Sequence, residues 1–218
     1  KLLERICRDD VSADGLKFRD IRQTSVGGVP AILARVSFSG ELGYEFYVAP
    51  QYLMRLFEEM EEAGSDLGFT LYGARALMSM RLEKNWGVWT LDFRPDFTAA
   101  ESGLDAFINW DKGDFIGRAA ALAERDGGPS KKLITLVLDT EDIDVSNDEA
   151  IFHGGECVGY ITSGGYAHHM GESVAMGYVP IALAVEGTTF EVEILGTNVS
   201  ASIQMLPLYD PSGTLMRG

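Results

Sequence analysis

Apolar positions keep two different rhythms along this chain, and the change falls near residue 130. Ahead of it the pattern is mixed. PAILARVSF (30–38) and GYEFYV (43–48) read as two extended segments joined by a turn from Gly40 to Gly43. QYLMRLFEEMEEAG (51–64) then sets Leu53, Leu56, Phe57 and Met60 at helical spacing against Arg55, Glu58, Glu59, Glu61 and Glu62, with Gly64 as a stop. This predicts an amphipathic helix with an acidic outer face. A second helix is expected from about Tyr72 to Glu83, with Ala74, Leu77, Met78 and Leu82 as its apolar face. GRAAALAERDGGPSKK (117–132) opens as an Ala-rich helix and closes in Gly127, Gly128 and Pro129, a helix stop followed by a linker.

Beyond that linker the period becomes two. FEVEIL (190–195) alternates Phe190, Val192 and Ile194 with Glu191 and Glu193, as a strand with one wet face does. ITLVL, CVGYI, VAMGYV and ASIQM are shorter runs of similar character, separated by Gly-rich or polar turns. Strands so short and so regularly spaced predict a small antiparallel barrel or sandwich. The chain is therefore read as α+β, with a mixed domain over residues 1–126 and an antiparallel β domain over 131–218.

Composition narrows the partners. The chain has 218 residues, 46% of them hydrophobic, enough for a well-buried core. Eighteen Lys and Arg against 33 Asp and Glu leave a net charge of −15, which argues against nucleic acid and against an anionic membrane surface. No apolar run approaches the roughly 20 residues of a membrane span, and the start, KLLERICRDD, has neither a signal-peptide core nor an initiating Met. The expectation is a soluble piece of a longer polypeptide. Cys7 and Cys157 form no metal or redox spacing, so a reducing compartment is expected.

Few side chains stand out as candidate chemistry. Glu41, in SGELG, places a carboxylate between two glycines at the end of an apolar run; an isolated turn carboxylate is ordinarily solvated or bonded to local N–H groups. Glu45, on the short strand that follows, is read as structural. His168 and His169 are adjacent, so their side chains diverge in extended backbone, and His153 lies in another turn; no metal site is expected from the three. Trp86, Trp89 and Trp110 are read as core aromatics. Tyr166, in a Gly-rich loop, is the better loop candidate for touching a ligand. SGG at 163–165 lacks the Lys of a phosphate loop.

GELGYE, GARALMSMRLEK, ESGLDAFINWDKGDFIGRAA and VGYITSGGYAHHMGESVAMGYV fall in the order found in the glycine-cleavage T-protein (aminomethyltransferase) family, and the chain resembles the C-terminal portion of that module. RLEKNWGVW and SGGYAHHMGESVAMGYV are most similar to the version carried by dimethylglycine and sarcosine dehydrogenases or oxidases. The resemblance implies a ferredoxin-like α/β subdomain followed by a small antiparallel barrel, and one-carbon transfer to tetrahydrofolate. It assigns Glu41 to the pterin-binding glutamate and Arg75, in GAR, to the arginine of the folate site. A carboxylate suits a pterin, whose ring N–H and amine are parallel donors matching both oxygens. Arg75 and Arg81 are six positions apart, so at about 100° per residue they point roughly 120° apart and do not serve one ligand. Arg81 is read as structural, paired with a neighbouring carboxylate. The family's acid/base aspartate lies upstream of anything matching Lys1 onward, so no catalytic role passes to Asp92 or Asp96.

The implied carbon donor is a small amine or a lipoyl-protein-bound aminomethyl group, with FAD in an upstream domain if the parent is an amine dehydrogenase. The implied location is the cytoplasm, or the mitochondrial matrix in a eukaryote. A folate-dependent demethylase and a non-catalytic module of the same fold remain as alternatives, and the family's folate pocket, lined by three subdomains, would draw two from this piece.

Overall fold

The computed structural model describes all residues from Lys1 to Gly218 and contains two compact units, Lys1–Met78 with Asp210–Gly218, and Ser79–Tyr209.

The first unit is built on three antiparallel strands in the order β1 (Ile21–Val26), β2 (Val29–Ala34), β3 (Glu45–Tyr47). β1 and β2 are joined by Gly27 and Gly28 alone, both at positive φ (56° and 77°), the backbone a two-residue hairpin turn demands. Along β2, Val29, Ala31 and Leu33 turn inward, where they meet Leu3 of α1 (Leu2–Ile6), Val11, Leu16 and Leu56 of α2 (Leu53–Gly64). The acidic helix forms where its period requires, but Leu53 is exposed: its apolar stripe extends one turn beyond what the core covers. α5 (Thr214–Arg217) belongs to the same unit, and Asp210 accepts the N–H groups of Thr214 (3.0 Å) and Leu215 (3.1 Å) at its start.

The expected Gly40–Gly43 turn proves longer. β2 ends at Ala34 and β3 begins at Glu45, with ten residues between them. Two features take the chain off the sheet. The buried guanidinium of Arg35 donates to the carbonyls of Leu16 and Arg217, and the hydroxyls of Ser37 and Ser39 accept the N–H groups of Gly40 (3.0 Å) and Glu41 (3.3 Å) that a strand would give to its neighbour.

α3 (Ala74–Glu83) runs across the division between the units. Its burial follows its length and not one face: Ala74, Arg75 and Ala76 are exposed, whereas Arg81, Leu82 and Glu83 are buried. This corrects the expected apolar stripe, because a helix driven end-on into a core buries every side of its last turn. In the second unit α4 (Arg118–Gly127) is the Ala-rich helix, opened by Gly117 and stopped by Gly128, both at positive φ. Residues 128–130 carry it directly into β4 (Lys131–Leu138).

β4, β5 (Ala150–His153), β6 (Glu156–Ala167), β7 (Glu172–Pro180), β8 (Thr189–Ile194) and β9 (Thr197–Gln204) close an antiparallel barrel in the order β4-β7-β6-β5-β8-β9. The period-two reading of FEVEIL holds residue by residue: Phe190, Val192 and Ile194 are buried and Glu191 and Glu193 are exposed. They join Leu136, Ile151, Ile161 and Val199 in the barrel core. The fold is thus mixed helix and sheet followed by a closed six-stranded barrel, as expected from the sequence.

Candidate functional site

Glu41 stands at the tip of the connection between β2 and β3, exposed, on backbone held by the two serine hydroxyls below it. The loop is fixed at both ends. Arg35 anchors its start, and at its end the Tyr44 hydroxyl donates to the carbonyl of Val11 at 2.7 Å; half-burial pushes that phenol's pKa up. Gly43 is needed for close approach, since a Cβ there would lie 2.5 Å from the Val36 carbonyl oxygen. Glu45 accepts a 2.5 Å bond from the Tyr47 hydroxyl, which raises the pKa of that phenol and gives Glu45 the local partner expected of a structural residue.

Arg75 is exposed in the first turn of α3, beside Gly73, where the backbone N–H groups of a helix start add positive potential. Glu41 and Arg75 belong to the first unit and Tyr166 to the second. Tyr166, near the end of β6, is partly exposed, with its ring edge-on to His168 at 5.1 Å and its carbonyl accepting the Ser79 hydroxyl at 2.6 Å. The ring of His169 turns instead to Tyr209, at 4.6 Å, so the two histidines diverge as expected. The tryptophans do not form core: Trp86 and Trp110 are half-buried and Trp89 is 72% exposed.

The densest polar arrangement is one that sequence reasoning left largely unread. Asp92, 0% exposed, has every carboxylate lone pair engaged. Its Oδ2 accepts from Arg81 Nη1 (3.0 Å) and the Val88 N–H (2.9 Å), and its Oδ1 from Thr162 Oγ1 (2.5 Å) and Ser163 Oγ (2.6 Å). The Tyr178 hydroxyl donates to the Asp92 carbonyl at 3.0 Å and shares a 2.7 Å bond with the Ser102 hydroxyl. Arg81, 1% exposed, also donates to the carbonyl of Trp86, and burial pushes its pKa down against the opposing charge of Asp92. The helix angle sets Arg81 apart from Arg75, and the carboxylate expected beside it is Asp92, which the sequence does not single out. So enclosed an aspartate holds structure together and does not meet a substrate. Two hollows of about 870 and 840 Å³ lie on the second unit, one against the outward side of β4, β5, β8 and β9 and one beside Trp110 and α4; neither is lined by Glu41, Arg75 or Tyr166.

A mixed α/β unit with an anchored carboxylate loop, followed by a six-stranded antiparallel barrel, defines a two-part module. Residues 1–112 match the family model described as the GCVT N-terminal domain, and residues 131–210 the one described as the glycine cleavage T-protein C-terminal barrel domain. The chain belongs to the glycine cleavage T-protein family. It is 35% identical over 209 residues to the mitochondrial dimethylglycine dehydrogenase of Homo sapiens, covering 95% of this chain and 24% of that protein. With the aminomethyltransferase of Halothermothrix orenii it shares 30% identity over 207 residues, covering 95% of this chain and 57% of that protein. The crystal structure of the glycine cleavage system aminomethyltransferase T from Bartonella henselae superposes with a TM-score of 0.76 at 29% identity, over 83% of this chain and 50% of that one. The chain thus spans about a quarter of the dehydrogenase and about half of the aminomethyltransferases it matches.

Proposed function

We propose that this chain is the C-terminal part of a tetrahydrofolate-dependent one-carbon transferase, with Glu41 holding the pterin edge and Arg75 the anionic glutamyl end. The observation that carries this reading is Glu41 itself, an exposed carboxylate on a loop fixed by Arg35, Ser37, Ser39 and Tyr44, in a chain of this family. The residues fit the ligand: a planar donor edge calls for two carboxylate oxygens on backbone that does not yield, and a carboxylate tail for an exposed guanidinium at a helix start. Reduced folate supplies a nucleophilic ring nitrogen that accepts the carbon. The chain's contribution is orientation, so that capture outruns loss of the carbon to water. Tyr166, in the second unit, is proposed as a ligand contact in its own right.

The identity to dimethylglycine dehydrogenase over nearly the whole chain favours an N-methyl amine as the carbon source over a lipoyl-bound aminomethyl group. The parent is then an amine dehydrogenase whose flavin chemistry takes place outside these residues, and its compartment is the cytoplasm or the mitochondrial matrix. Within these residues, no helix is long and apolar enough to cross a membrane.

The test is a calorimetric titration of the full native polypeptide with 5-formyltetrahydrofolate, beside Glu41→Gln. Saturable binding weakened at least ten-fold by the substitution is expected, a loss typical for one charge-assisted bidentate contact of roughly 1.5–3 kcal/mol. Equal affinities for the two proteins would remove Glu41 from the site.

A further inference from the structure

We propose that the hollow of about 840 Å³ beside Trp110 is a binding site for an α-amino acid with an aromatic side chain. It lies wholly within the second unit, and none of Glu41, Arg75 and Tyr166 lines it, so the inference stands apart from the folate reading. Its size is that of small-molecule sites, roughly 300–1,000 Å³, and its walls are tied together before any ligand arrives. The Thr98 hydroxyl donates to Glu124 of α4 at 2.6 Å and the Ser130 hydroxyl to Glu101 at 2.7 Å, while the other oxygen of Glu101 accepts the Thr98 N–H at 3.1 Å. These bonds hold the segment from Thr98, the helix and the entry to β4 as one cradle.

The charges on the lining decide the ligand. Glu101, 7% exposed, and Glu124 have their carboxylates engaged in those hydrogen bonds, and Arg125 pairs with Asp126 at 3.1 Å while its guanidinium lies 5.0 Å over the Trp110 ring. Two opposite charges are left. Lys132 is half-buried, and the one bond its ammonium makes is to the Ala100 carbonyl at 3.3 Å, a long contact that leaves the cation without an anion. Asp105 is exposed, and its carboxylate bonds to no other group of the chain. A half-withdrawn ammonium favours an anionic ligand group, and a lone carboxylate a cationic one, because charge-assisted bonds are the strong ones. An amino acid carries both, its carboxylate for Lys132 and its ammonium for Asp105. Much of the remaining lining is apolar, with Ala99, Ile108, Trp110, Pro129 and Ile181, and the indole is the partner on which an aromatic side chain packs. A neutral molecule would leave both charges unanswered, and a simple anion would meet the carboxylates of Glu101, Asp105 and Glu124 in the same hollow.

The experiment is a calorimetric titration of the full native polypeptide with L-phenylalanine, beside three analogues that each lack one feature: 3-phenylpropanoate the ammonium, 2-phenylethylamine the carboxylate, and glycine the ring. Saturable binding of L-phenylalanine is expected, roughly ten-fold or more tighter than that of any analogue, the loss that one charge-assisted bond accounts for. Lys132→Met and Asp105→Asn should each weaken it by about the same factor. Asp105→Asn alters an exposed side chain without bonds in the chain, so it supplies a folded variant should Lys132→Met fail to fold. Absence of L-phenylalanine binding overturns the proposal. So does wild-type affinity in either folded variant, which would place the binding elsewhere on the polypeptide. Equal affinity for 3-phenylpropanoate or for 2-phenylethylamine overturns it as well, because the hollow would then be reading one charge and not two.

Discussion

Gly43 lies two positions after Glu41, and a methyl group added there would sit 2.5 Å from the Val36 carbonyl oxygen and 3.3 Å from the Ser37 Cα, both backbone atoms that cannot swing aside. Gly43→Ala is therefore expected to destabilise the first unit by about 1–3 kcal/mol, the usual cost of forcing an extra carbon into packed structure. Urea unfolding followed by circular dichroism measures it. On the proposed role of Glu41, folate affinity should fall as well, since the loop relieves the clash by moving the backbone that carries that carboxylate. Gly28, also in a turn, has nothing within 4 Å of where a Cβ would stand, so its constraint is its positive φ alone. The sequence pattern marks Gly43 as a turn glycine and leaves Gly28, in the β1–β2 hairpin, unread. The same limit applied to the loop: its glycines were legible, but its length depended on Arg35 reaching Leu16 and Arg217, 19 and 182 residues away.

Strands of the barrel were the most readable elements, because a strand with one buried face writes its geometry into every second residue. α3 was the least readable, because its C-terminal turn is buried on all sides and carries Arg81 and Glu83 into the interior. No hydrophobic periodicity announces such a helix; what marks it is the need of each buried charge for a partner, and two of Asp92's four donors come from β6, 70 and 71 residues further on. The arrangement has a measurable signature. Arg81→Met or Asp92→Leu, each leaving the other charge buried alone, is expected to cost about 3–5 kcal/mol, whereas the double variant should cost well under the sum of the two. Denaturant midpoints of the three proteins decide it; additive losses would mean that the two side chains act independently.

At the scale of the whole molecule, 33 acidic side chains against 18 basic ones put most of the anions on the surface, yet the group that should dominate its alkaline behaviour is a buried phenol. Tyr178 is 2% exposed, and burial pushes its pKa up to about 12; its bond to Ser102 opposes this, while the nearby charges of Asp92 and Glu101 add to it. In the unfolded chain the same phenol ionises near 10. Between those values the folded state keeps a proton that the unfolded state has lost, so stability present in full below pH 10 is lost progressively as pH rises to 12, at about 1.4 kcal/mol per pH unit for one group. Tyr44 and Tyr47 are shifted the same way and steepen the fall. Tyr178→Phe tests the assignment. It removes the hydrogen bonds to Ser102 and to the Asp92 carbonyl, at a cost of about 1 kcal/mol each near neutral pH. In exchange it should flatten the decline above pH 10. Urea midpoints of the two proteins measured from pH 8 to 11.5 should therefore converge as pH rises, and parallel curves would assign the alkaline loss to groups other than Tyr178.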